Sequence, residues 1–198
     1  MTQSDADLAR RITAHLPYWQ GLRFVPFGLA LIVFAAKMGE WTDFPGPMLD
    51  QVVPVAGGTA FIVYLLLAGY YRRTFGSVSY SRTTRRSRTI VEILIAAPLM
   101  LGSIALDLLT PLPVFLSGAA WGLSILIFWA ATGRGRGYYL FGAFVVAAMT
   151  FAPLVNPEWS ARVLIPPLFA AFGLTFVIGG VLDHLTFRRV MQGDGRAA

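Results

Sequence analysis

Six long apolar blocks, 24–41, 51–71, 90–109, 114–132, 138–156 and 163–184, separated by short polar punctuation, dominate this chain. A hydrocarbon core of about 30 Å needs about 20 residues at 1.5 Å each, so each block can cross it, the shortest only marginally. In lipid every backbone donor and acceptor must be satisfied within the segment, which a helix achieves whatever its β-branched content. Composition agrees. The chain is 56% hydrophobic and 13% charged, whereas roughly a quarter of a soluble domain is charged. The sequence therefore predicts an all-α membrane protein, a bundle of six transmembrane helices over 24–184.

Arginine placement sets the orientation. With the N-terminus inside, Arg10, Arg11, Arg23, Arg72, Arg73, Arg82, Arg85, Arg86, Arg88, Arg134, Arg136, Arg188, Arg189 and Arg196 face the cytoplasm, and only Arg162 lies in an outer loop. This bias is the positive-inside pattern and puts both termini in the cytoplasm. The outer connections carry Asp43, Asp50 and Glu158 instead. Tyr70–Tyr71 and Tyr138–Tyr139 fall at inner ends of spans, and Trp41 and Trp159 at outer ends, where amphipathic rings serve as interfacial anchors.

The first 23 residues read as a cytoplasmic segment rather than a secretory signal, because polar and acidic residues precede any apolar run. Ser4 caps a short helix with Asp7 three residues on, and Leu8, Ile12 and Leu16 line one face until Pro17. That makes an amphipathic helix lying on the inner leaflet, with His15 at the interface. Residues 72–89, RRTFGSVSYSRTTRRSRT, form a basic cytoplasmic loop, and 185–198 a basic cytoplasmic tail. Arg72, Arg73, Arg82, Arg85, Arg86 and Arg88 make this loop the candidate surface for docking anionic lipid or a partner protein. Nucleic acid is disfavoured, because Tyr80 alone is a thin stacking platform. The loop is longer than a bare connection requires.

Ionisable residues within spans are functional suspects, because burying charge in lipid is costly. Lys37 and Asp107 fall at similar depth, roughly 21–26 Å above the cytoplasmic end, and are expected to form an outer-leaflet ion pair; Lys37 with Glu40 is the alternative. Glu92, Asp183 and His184 lie together at the inner surface and form the candidate polar, ligand-responsive cluster. Pro98, Pro153 and Pro166–Pro167 interrupt spans three, five and six, as kinks or as the broken helices of a transport site. Gly118 with Gly122, and Ala143 with Ala147, form small-residue packing faces that leave oligomerisation open.

Two chemistries are set aside. The stretch FLSGAAWG (115–122) resembles part of the rhomboid intramembrane-protease signature, but His184 lies about 30 Å from Ser117 and cannot activate it. Two histidines and no cysteine give no metal-ligand spacing, so neither metal nor cofactor is expected. YYRRTFG (70–76) and LDHLTFRR (182–189) resemble stretches of uncharacterised small multi-span bacterial inner-membrane proteins, some of which accompany winged-helix regulators; the resemblance implies a cytoplasmic protein partner. The expectation is a non-enzymatic inner-membrane protein whose basic cytoplasmic face docks a partner. A small transporter or channel near the prolines is the alternative, and a lipid-interface enzyme using Glu92 and His184 comes third.

Overall fold

The structure is a computed structural model that describes residues 21–41, 46–75, 97–110, 112–132 and 137–191. Loop residues 76–89, with Arg82, Arg85, Arg86 and Arg88, lie outside them, as do Glu92, the expected N-terminal helix through residue 20, and the tail beyond 191. After a 3-10 turn at Gly21–Arg23 come α1 (Val25–Met38), α2 (Gly46–Phe75), α3 (Ala97–Leu109) and α4 (Leu116–Thr132). Then α5 (Gly137–Ala148) passes through a 3-10 turn at Met149–Phe151 into α6 (Ala152–Val155), and α7 (Ala161–Met191) follows. No strand occurs among the described residues.

Four stretches, Gly21–Met38, Gln51–Thr74, Gly137–Val155 and Ala161–Arg189, are long and apolar enough to cross a membrane. Pro98–Leu109 and Leu116–Ala130 are equally apolar but shorter. Large apolar side chains such as Leu66, Leu101, Phe141, Phe144 and Val155 face outward, an arrangement that suits hydrocarbon and would aggregate in water.

Local chemistry explains where these helices start and stop. Pro26 sits in the first turn of α1, where its missing N–H is no loss. Gly39 ends that helix by donating to the Ala35 carbonyl at 2.9 Å, and Glu40 turns the chain at φ 51. Pro153 lies in the first turn of α6, so the chain tightens to a 3-10 turn over Met149–Phe151 just before it, the break expected of a proline there. Pro166 and Pro167 lie within α7 without ending it.

The bundle is drawn together by α7. An alanine at Gly28 would put its Cβ 2.5 Å from the Gly173 carbonyl, and one at Gly180 would come 2.5 Å from the Gly21 carbonyl. Gly21 and Gly28 on one segment thus meet Gly180 and Gly173 on the other, in antiparallel order at matching seven-residue spacing. Backbones this close replace the hydrophobic drive that lipid cannot supply between helices. Next along α1 at the same spacing, Ala35 is fully buried.

A second contact joins α4 to α5. A Cβ at Gly122 would fall 2.7 Å from that of Ala147 and 2.9 Å from the Ala143 carbonyl. The two small-residue faces read from the sequence therefore meet each other within one chain. Between them and α7 lies the core, built on Phe115, Trp121, Ile125, Val146, Leu168 and Phe172. Trp121 meets Phe169 and Phe172 edge-on, with centroids 4.9 and 4.6 Å away, and its Nε1 donates to the Met100 carbonyl of α3 at 3.2 Å.

Glycine substitutions test this packing. Gly28→Ala should lose about 1–3 kcal/mol of unfolding free energy in detergent, because the backbone of Gly173 cannot move aside. Gly57→Ala meets nothing within 4 Å and should be neutral or gain up to about 1 kcal/mol from helix propensity. Equal effects at both positions would contradict the crossing.

Candidate functional site

The polar side chains of the described residues gather most densely at one end of the bundle, where Arg23, Arg72, Arg73, Arg188 and Arg189 also lie; this is the basic end. Its centre is the dipeptide Asp183–His184 on α7. Successive residues on a helix point about 100° apart, so the two side chains serve different neighbours.

Asp183 faces α5. Its carboxylate accepts from the Tyr138 hydroxyl through Oδ1 and from the Tyr139 hydroxyl through Oδ2 at 3.0 Å. Asp183 is 1% exposed and Tyr139 fully buried. Gly179, one turn back on α7, makes room for the Tyr139 ring: a Cβ there would lie 2.7 Å from it. Gly21 closes the carboxylate from the other side, since a Cβ at that position would come 2.6 Å from the Asp183 Cβ. A buried carboxylate is tolerated only with charge-assisted donors of this kind.

His184 faces α2. Its Nδ1 is hydrogen-bonded to the Tyr71 hydroxyl at 2.6 Å, and the Tyr71 ring stands edge-on to the imidazole and tilted against Phe187, with centroids 5.8 and 6.1 Å away. Seven residues earlier on α2, the Tyr64 hydroxyl accepts from an Arg23 guanidinium nitrogen at 2.7 Å. The same guanidinium carbon lies 4.5 Å from the Tyr64 ring centroid, close enough for a cation–π attraction. Side chains from α2 and α5 thus meet α7 at one level.

Asp183 and His184 of the expected cluster are therefore placed side by side with distinct partners, while Glu92 lies outside the described residues. Three tyrosines read as interfacial anchors act differently. Tyr71 and Tyr139 are fully buried and Tyr138 is partly buried, whereas Tyr70 is 47% exposed as an anchor would be. Adjacent side chains on a helix point about 100° apart, so the two members of a Tyr–Tyr pair can take different surroundings, and an inward hydroxyl needs an acceptor. The signal was available: both pairs lie at the depth of the Asp–His dipeptide.

At the far end, Asp107 takes a role the sequence reading missed. Its Oδ1 accepts from the Leu116 N–H at 2.9 Å and its Oδ2 from the Ser117 N–H at 2.7 Å. It caps α4 from the last turn of α3, while Lys37, its expected partner, lies in the last turn of α1. The first turn of α4 has four amides without helical partners in apolar surroundings, and a carboxylate nine residues upstream satisfies two of them. Ser117 is fully buried, with no hydrogen-bond partner for its Oγ. His184 lies 23 residues along α7 from its far-end start, a rise of about 35 Å, so it cannot reach the serine. Beside Asp107 is a cavity of about 370 Å³ lined also by Thr110, Ser160, Trp159 and Pro153. Pro98, Pro166 and Pro167 do not line it.

Among the described residues no three His, Cys, Asp or Glu side chains converge on a metal position. The chemistry of the basic end is hydrogen bonding of a buried carboxylate and an imidazole, which fixes helix positions. Replacing Asp183 with Ala should cost about 2–5 kcal/mol of unfolding free energy, since two tyrosine hydroxyls lose their acceptor. Asp183→Asn should cost less, because one amide oxygen still accepts. Equal stability of all three proteins in detergent unfolding would remove the network from the account.

No protein-family model matches this chain, and no curated protein or solved structure does, so the geometry of the site alone bears on its function.

Proposed function

We propose that this chain is a six-span integral protein of the bacterial inner membrane, with its basic end in the cytoplasm, and that this end docks an acidic partner protein. The observation that carries the reading is convergence. The Tyr71–His184 hydrogen bond and the Tyr71–Phe187 contact hold the end of α2 against that of α7. Arg72, Arg73, Arg188 and Arg189 extend from these two ends, all exposed. Two arginine pairs far apart in sequence are thereby brought to one end on a packed base. The segments before residue 21, over 76–89 and beyond 191, which lie outside the described residues, carry further arginines that the positive-inside reading assigns to the same side.

The six-span, positive-inside topology rests on two supports. The described helices alternate in direction, so residues 21–23, 71–74, 137–139 and 183–189 share one end. Fourteen of the fifteen arginines fall in segments assigned to that end and one does not. A second reading, a small transporter, is favoured by the cavity of about 370 Å³ beside Asp107, which lies at the outer mouth in this topology.

Charge reversal tests the docking. Purified in mild detergent at low salt, the wild-type protein should carry a stoichiometric acidic protein, and Arg188→Glu with Arg189→Glu should release at least nine-tenths of it. The complex should also weaken as salt shortens the reach of the charges. A wild-type preparation without a stoichiometric partner, or a reversed variant that keeps it, would contradict the proposal.

A further inference from the structure

Between α1 and α2 runs a groove of about 990 Å³, at the upper limit of small-molecule pockets. It extends from Leu22 to Ala36 along α1, about 21 Å at 1.5 Å per residue. Small side chains on both walls, Ala30 and Ala36 facing Ala56 and Ala60, create the space, and Leu67 closes the α2 wall near the basic end. The helices are pinned together at that end by the Arg23–Tyr64 hydrogen bond and by the edge contact of Phe27 with Tyr64. The groove persists above these contacts.

A space this large and apolar suits neither vacuum nor water. Protein interiors pack to the density of organic crystals, and ordered water needs several polar partners, of which these walls offer only Gln51 and Thr59. In a bilayer the available filler is an acyl chain. One leaflet of a core of about 30 Å is about 15 Å deep, so a chain entering at the basic end fits within the groove's length. The basic mouth also has the matching charge. Arg23 directly follows Leu22 at the end of the groove, and Arg72 and Arg73 are exposed just beyond Leu67 on α2.

We infer that this groove is a retained phospholipid site: it seats one acyl chain between α1 and α2, with the lipid's anionic phosphate at Arg23. The site borders the docking face at Arg72 and Arg73 but is defined by the groove and Arg23, whereas the docking is tested at Arg188 and Arg189. The lipid completes α2, whose stretch Gln51–Thr74 is only weakly buried within the bundle.

The test uses the full chain, purified in mild detergent, washed free of loose lipid and weighed by native mass spectrometry. Phosphatidylglycerol, phosphatidylcholine and a free fatty acid of the same chain length are added back separately. The expected result is about one retained phosphatidylglycerol per chain, held about fivefold more tightly than phosphatidylcholine, as one cation near a phosphate provides. Ala56→Trp, which fills the groove from α2, should abolish retention, and Ala30→Phe should do so from α1. Helical circular dichroism and a monodisperse elution profile identify which filled variant is folded. Arg23→Gln should keep the chain bound and erase the preference for phosphatidylglycerol. Partner recovery should survive the filled variants, and lipid retention should survive the Arg188→Glu, Arg189→Glu protein, so the two proposals fail separately. Absence of retained phospholipid, unchanged retention in a folded filled variant, or fatty acid binding as tightly as phosphatidylglycerol would overturn the inference.

Discussion

The near contact of the α1 and α7 backbones is what the rest of this structure depends on. Apolar helices gain nothing by leaving lipid for one another, so association rests on close packing and on polar groups that need partners. Gly28 on Gly173 and Gly21 on Gly180 supply the packing. The same crossing lays Gly21 over Asp183, which closes a carboxylate away from hydrocarbon. A larger residue at position 21 would lift the lid from the charge it covers.

Asp183 then organises its surroundings by needing donors. A carboxylate without water costs several kcal/mol unless its lone pairs are satisfied, and breaking such an arrangement costs more than building it returns. Tyr138 and Tyr139 bring α5 to it, while the adjacent His184 takes Tyr71 from α2. The result is positional. Through Tyr71, the end of α2 that carries Arg72 and Arg73 is held against the end of α7 that carries Arg188 and Arg189. Asp107 plays the equivalent local part at the far end by capping α4, so among the described residues a buried carboxylate helps fix each end of the bundle.

Apolar length made most of the architecture readable beforehand. The block 24–41 became α1, 138–156 became α5 through α6, and 163–184 lies within α7, which runs beyond it at both ends. Gly122 meeting Ala143 and Ala147 was also legible, because spacing of four residues marks one helix face. The glycines at seven-residue spacing were missed because each lacks a small neighbour four residues away on its own helix; the pattern emerges only when Gly21–Gly28 is set against Gly173–Gly180. The expected pairing of Asp107 with Lys37 was read from depth alone, which does not reveal that a helix start nine residues downstream also claims the carboxylate. Tyrosines at a span's end look alike from sequence: Tyr70 stays exposed beside a buried Tyr71, while Tyr138 and Tyr139 both reach Asp183.

Because the natural chain contains no cysteine, single introduced thiols report sidedness without background, and this is the most direct measurement of the central claim. In intact cells, Glu158→Cys in the outer connection should react with a membrane-impermeant maleimide. Thr74→Cys at the basic end of α2 and Thr186→Cys at that of α7 should react only after the membrane is opened. That result would place the converged arginines in the cytoplasm, where the account requires them. Labelling of Thr74→Cys or Thr186→Cys in intact cells, with Glu158→Cys protected, would contradict it.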